Sequence, residues 1–292
     1  MEENKKLDLN SIIGFILIFG ILIWIMYQNQ PTKEQIAADK AKKEQAAEAK
    51  KAQTNTANIA EIATTNAVSD TLKAAQLKST LGNFAYSAAL PTAKDGTTTL
   101  ENDLILLKIA NKGGYVVEAK LKKFEKFKKN SGEIVSLVKD NNANLNLQLV
   151  TNDNKTINTK DLFFEPIKTK VGDNQVLTLR LKVSENEFLE YKYVLKPNNY
   201  MIDFDVRSQG LNKTLNTSKP ADLEWNLKTY RNEKSVVYED RYTDIRYEYE
   251  NGKDNNVSSG KDKEETPEKV TFVAFKQHFF STIYLPIRLF QK

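Results

Sequence analysis

The chain is 292 residues long, with 43 basic and 38 acidic side chains for a net charge of +5, one histidine and no cysteine. Disulfides and thiolate metal sites are thereby excluded, as is any centre built on two imidazoles, including the usual zinc hydrolase patterns. Both signs of charge interleave, and the densest basic stretch, residues 120–129, reads as a strand end and turn, so no nucleic-acid partner is expected.

Residues 12–27 are the strongest apolar run, carrying Gly14, Gly20 and Trp24 and no charge. At about 1.5 Å per residue the run gives about 24 Å; adding Leu9 and Leu7 brings a helix to about 31 Å, enough for a hydrocarbon core about 30 Å thick. Trp24 and Tyr27 then stand where interfacial aromatics belong. A cleaved signal peptide is the rival, because Lys5 and Lys6 precede a short run. No small-x-small cleavage pattern follows Tyr27, so residues 1–28 are read as an N-terminal transmembrane signal anchor. Lys33, Lys40, Lys42, Lys43, Lys50 and Lys51 outnumber Lys5 and Lys6, a count that by itself keeps the following chain in the cytoplasm, although the rule is weak for long translocated domains.

Residues 29–81 shift to Ala, Lys, Glu, Gln, Thr and Asn and form a polar Ala/Lys-rich linker, helical or disordered, that can build no core. A spacer holding a domain off the membrane and a tolerated low-complexity tail both fit it.

From residue 82 the apolar period becomes two, the signature of strands. Residues 103–110 and 115–124 flank Asn111-Lys112-Gly113-Gly114, where glycines accept the positive φ of a hairpin turn. Strands are also expected at 133–138, 145–151 and 161–165. Then Leu177, Leu179, Leu181 and Val183 alternate with Thr178, Arg180 and Lys182, which predicts one buried face. After a strand at 188–196 and the turn Pro197-Asn198-Asn199, the alternation of Ile202, Phe204 and Val206 with Asp203, Asp205 and Arg207 predicts another. Strands at 223–230 and 236–249 follow, then a charged loop over 251–267. Strands joined by short turns without helical crossovers specify antiparallel sheets packed face to face, a mainly β, β-sandwich-type fold.

No nucleophile elbow is present, and the lone His278 sits in Phe275-Lys276-Gln277-His278-Phe279-Phe280, where a packed or interfacial ring is the expected role. Glu187, Glu190, Glu239, Asp240 and Asp244 are read as exposed strand-face carboxylates. Asp140, Asp153 and Asp173 lie in Asn-rich turns, where local hydrogen bonding is expected in place of calcium. No catalytic residue, cofactor or metal is expected. Tyr230, Tyr238, Tyr242, Tyr247 and Tyr249 cluster late in the domain; most are expected in the core, with a groove for peptide or sugar as the alternative.

Several segments together resemble one family. Asn10-Ser11-Ile12-Ile13-Gly14-Phe15 ahead of the linker resembles its N-terminal span, and Leu100-Glu101-Asn102-Asp103 leading into Asn111-Lys112-Gly113-Gly114 and Leu121-Lys122-Lys123-Phe124 are similar to its first periplasmic strands. Tyr191-Lys192-Tyr193-Val194-Leu195 with Tyr200-Met201-Ile202-Asp203-Phe204 is similar to its central hairpin, and Phe272-Val273-Ala274-Phe275-Lys276-Gln277-His278-Phe279-Phe280 to a later aromatic segment. The family is the YidC-type membrane protein insertase (YidC/Oxa/Alb), in its Gram-negative form and its N-terminal part only.

The resemblance implies a large periplasmic β-supersandwich, mutarotase-like in fold, over residues 82–283, held to the inner (cell) membrane by the single N-terminal span. It further implies a non-enzymatic insertase that helps inner-membrane proteins insert and fold, with or without the Sec translocon. Its implied partners are the lipid bilayer, the Sec translocon with its accessory subunits, and nascent membrane proteins. The family continues into last periplasmic strands and five further spans that carry the insertion groove, so a fragment lacking its C-terminal strands is expected. Residues 284–292 then form a non-family tail, and no insertion residue carries over. A membrane-anchored periplasmic carbohydrate-binding or mutarotase-like protein is the alternative; its chemistry needs histidines with a carboxylate, and one histidine disfavours the enzyme.

Overall fold

Residues 70–250 and 252–286 are described by a computed structural model and belong to one compact unit, Ile62–Lys292. The expected anchor at residues 1–28 and the linker up to residue 69 lie outside the described residues. No described helix is long and apolar enough to cross a membrane.

The described chain opens with α1 (Asp70–Leu81) and, after a 3-10 turn at Gly82–Phe84, α2 (Ala85–Ala89). Leu81 and Phe84 are buried, so the polar stretch ends by seating two apolar side chains in the domain.

Fifteen described strands follow in four antiparallel sheets. The first holds β1 (Thr97–Glu101), β2 (Ile105–Ala110), β3 (Val116–Glu125) and β4 (Ile134–Val138) in sequence order. β5 (Ala143–Val150) is central in a three-stranded sheet, with β6 (Thr156–Asn158) on one side and the distant β11 (Asp222–Leu227) on the other. β7 (Glu165–Val171), β8 (Asn174–Lys182), β9 (Phe188–Leu195) and β10 (Ile202–Gln209) form a meander. The fourth sheet has the order β13 (Lys253–Ser258), β12 (Asp244–Tyr249), β14 (Phe272–Lys276) and β15 (Ser281–Tyr284), preceded by the short helix α3 (Val236–Arg241). β1 lies against β8, and β3 against β5, so the first three sheets share one core.

Alternation sets the inward faces. Ile105, Leu107 and Ile109 on β2 are buried, as are Leu177, Leu179 and Leu181 on β8 with Val183 just beyond it. The expected hairpin turn forms, with Gly113 at φ 79° and Gly114 at φ 67°. Both are required there: a Cβ on Gly114 would meet Tyr191 Cδ2 at 2.9 Å.

Four expectations are corrected. The stretch 161–165 is no strand of its own: a 3-10 turn at Thr159–Asp161 leads to one bridge between Phe163 and Lys112, and β7 begins only at Glu165. Residues 236–249 split into α3 and β12, because the Ser235 side chain caps the Tyr238 N–H and starts a helix. The charged stretch 251–267 contains β13, paired to β12 through Val257 and Ile245. Finally, the apolar face of β10 is open: Ile202 and Phe204 are half-buried and Val206 is exposed.

Candidate functional site: an apolar groove and its aromatic rim

The open face of β10 borders a groove of about 480 Å³. Its walls come from β2, β3, β5, β9, β10 and β11 and from the turn and strand at 279–284. Tyr193 and Phe204 stack at 4.7 Å in it, while Phe124 stands between Phe280 at 5.3 Å and Tyr200 at 6.4 Å. On the other side Trp225 packs 6.1 Å from Tyr284 and edge-on to Phe275.

Two of the groove's tyrosines are positioned by identifiable hydrogen bonds. Tyr193 donates its hydroxyl to the Gly114 carbonyl at 2.7 Å, so a buried polar tip is satisfied and the ring is left for the groove. Burial pushes that hydroxyl far above the ordinary phenol range, and it stays protonated. The turn that presents Tyr200 and Met201 is fastened by Asn102, whose amide donates to the carbonyls of Lys196 and Asn199 at 2.8 Å each. The Asn102 oxygen accepts from the N–H groups of Leu104 and Ile105, so one side chain ties two hairpins.

The polar lining is sparse: tyrosines, Asn144, Ser281 and Thr282, with no Asp, Glu, Lys, Arg or His. A sugar would lose water hydrogen bonds here with little in return, whereas an extended apolar chain suits such walls. β15 also presents an edge with no strand partner among the described residues, the backbone row that an added extended segment uses.

The carboxylates singled out from sequence do not converge. Glu190 bonds Arg180 Nε at 2.9 Å, Glu187 accepts from Ser184, Asp240 from Ser259, and Asp244 lies 3.6 Å from Arg246. Asp140 is a turn residue at φ 51°, Asp153 accepts from Thr151 and Lys155, and Asp173 sits in the turn between β7 and β8. Among the described residues no group of three potential metal ligands gathers. Glu190 and Glu239 both differ from their reading as exposed carboxylates, at 9% and 5% exposure, Glu239 being the deeper of the two. Glu239 accepts the N–H of Asn232 at 2.9 Å and of Glu233 at 3.1 Å, and the Gln277 amide at 3.2 Å.

None of the five late tyrosines lines the groove, whose tyrosines are Tyr115, Tyr193, Tyr200 and Tyr284. Tyr247 is core, with Tyr249 5.8 Å away, and Tyr230 lies under Lys139. Tyr238 and Tyr242 pack 5.3 and 4.8 Å from His278, which in turn contacts Phe279 at 3.9 Å. Phe279 belongs to both this exposed cluster and the groove lining, so the cluster forms part of the groove's rim.

Antiparallel sheets around an apolar groove define a mainly β domain of the sandwich class. Residues 97–289 match the family described as the YidC periplasmic domain, and the chain belongs to that family. The match continues past residue 283, where the sequence reading placed the domain's end. The chain is similar to the membrane protein insertase YidC of Parabacteroides distasonis, 32% identical over 288 residues that cover 96% of this chain and 44% of that protein. It is similar also to the membrane protein insertase YidC of Bacteroides fragilis, 31% identical over 294 residues, 98% of this chain and 44% of the relative. That of Porphyromonas gingivalis is 29% identical over 280 residues, 95% and 43% respectively. The chain therefore spans less than half the length of these curated relatives.

Proposed function

We propose that this chain serves membrane protein insertion as the membrane-anchored, periplasmic part of an insertase, and that its groove holds extended apolar stretches of client chains during insertion and folding. The observation that carries the reading is the groove itself: about 480 Å³ walled by aromatic and aliphatic side chains, with no charged group and an unpaired strand edge beside it among the described residues. The names of the relatives supply the activity, and the groove supplies a physical means for this portion to take part in it. In this reading residues 1–28 anchor the chain in the inner membrane, residues 29–81 space it, and the sheets lie in the periplasm as a supersandwich. The Sec translocon and its accessory subunits are the proposed protein partners, met through the outer sheet faces.

The test is a photo-crosslinking amino acid at Met201 or Ile283, both half exposed beside the groove, in cells that synthesise an inner-membrane protein under pulse labelling. Adducts with the growing client at these positions, and none from Val171 at the end of β7, are the expected result. Equal yield at all three positions, or none anywhere, removes the groove from the client's path.

A further inference from the structure

The helix α3 is built with its polarity reversed. Val236, Val237 and Tyr238 are 55%, 74% and 47% exposed, while Glu239 is 5% exposed. Burial energetics favours the opposite arrangement, so the apolar residues are held outward by the inward-facing Glu239 and its backbone donors. Tyr238 continues into Tyr242, His278 and Phe279, the last 68% exposed. On the other side the loop before α3 leads to Phe127, also exposed: its N–H donates to the Asn232 carbonyl at 2.7 Å, and Arg231 covers its ring.

Cations frame these apolar tips. Arg241 lies over the Tyr238 ring and Lys276 over the Tyr242 ring. Arg231 and Lys234 flank the loop before α3, and Lys128 and Lys129 follow Phe127. Against these six stand four acids, Glu125, Glu133, Glu233 and Asp240, since Glu239 is turned inward. Exposed valines with tyrosine, histidine and phenylalanine rings, bordered by an excess of Lys and Arg, match the chemistry of an anionic bilayer interface: apolar tips for the acyl boundary, rings for the headgroup layer, cations for the phosphates.

We infer that this face, from Phe127 through α3 to Phe279, docks on the anionic surface of the phospholipid bilayer and brings the rim of the groove to the membrane. The inference rests on the reading of the chain as membrane-anchored. The 42 residues between Tyr27 and Asp70 give ample chain for the return to the surface, about 63 Å even at helical rise.

Because the chain has no cysteine, Val237→Cys in the full chain can be labelled uniquely with an environment-sensitive fluorophore. Val171→Cys, 62% exposed at the end of β7, is the matched control. Both are reconstituted in phosphatidylethanolamine and phosphatidylglycerol vesicles and checked by flotation. Expected is a blue-shifted label at 237 that loses about half its emission to brominated lipid and resists iodide, with neither effect at 171. Replacing the anionic lipid by phosphatidylcholine, or reversing charge with Lys234→Glu and Arg241→Glu, reduces the lipid quenching about twofold or more. Floating vesicles with 237 as open to iodide as 171 overturn the docking face alone. Protection from iodide without lipid quenching overturns it in favour of a protein contact, including a second copy of this chain. A chain that does not float removes the anchor and the docking face together.

Discussion

Gln277 in the turn after β14 donates to the buried Glu239 of α3 at 3.2 Å, and the same amide donates to the Tyr230 carbonyl at 2.7 Å. Asn232 adds a bond to Gln277 at 3.3 Å. This polar knot joins the turn at 277–280 to α3, and it fixes Phe279 and Phe280 at the groove.

Removing the centre of the knot leaves backbone N–H groups buried without acceptors. Glu239→Ala is expected to cost about 2–4 kcal/mol, and Glu239→Gln less, since one oxygen survives. The measurement is urea unfolding of the full chain in mild detergent followed by Trp225 fluorescence, after Trp24→Phe removes the other tryptophan.

Gly114 combines a positive φ of 67° with a Cβ position that touches Tyr191 and Phe164. Gly114→Ala is expected to destabilise by about 2–3 kcal/mol through strain and overpacking. Gly132, at φ 74° but with nothing within 4 Å of a built Cβ, is expected to lose only about 1 kcal/mol on the same change. Comparing the two urea midpoints separates packing from backbone strain.

Asn102 meets four partners across two hairpins, and Asn102→Ala is expected to cost about 2 kcal/mol. Its particular signature is local: amide hydrogen exchange accelerates at residues 199–201 before global unfolding, because the turn that presents Tyr200 and Met201 loses its fastening.

Glu118 lies 2.7 Å from Lys108 and in direct contact with Lys120, and these hydrogen bonds hold its carboxyl below the ordinary value of 4.5 against the opposing effect of burial. The folded protein therefore binds fewer protons at this site than the unfolded chain. The stabilisation is complete above the unfolded value and is lost as pH falls through the lowered folded one. Glu118→Gln is expected to lose about 1 kcal/mol near pH 7 and to flatten the acid side of the stability curve, measured as urea midpoints from neutral pH downward.

Much of the fold was legible because the strands obey period two: the faces of β2 and β8 and the turn at Gly113 and Gly114 stand where the alternation and the glycines put them. The groove was not legible. The alternation of Ile202, Phe204 and Val206 reports an apolar face but carries no record of whether another sheet covers it, and β10 is uncovered. Likewise Trp225 reaches the groove only because β11 pairs with β5, in a register that sets Trp225 opposite Leu145, 80 positions earlier in the chain. Glu239 and the exposed valines before it read as strand because a six-residue helix is too short to show its own period, and Ser235 was the one local sign of its start.

The groove's walls are drawn from the first hairpins, from the central meander, from β11 and from the last described strand. A polypeptide made from its N-terminus thus completes the groove only when residues near 284 have been added. Until then Phe204, Trp225 and their neighbours have no shared cavity to offer, and sticky segments of other chains find no pocket on the half-made domain. Readiness to bind is thereby timed by the order of synthesis.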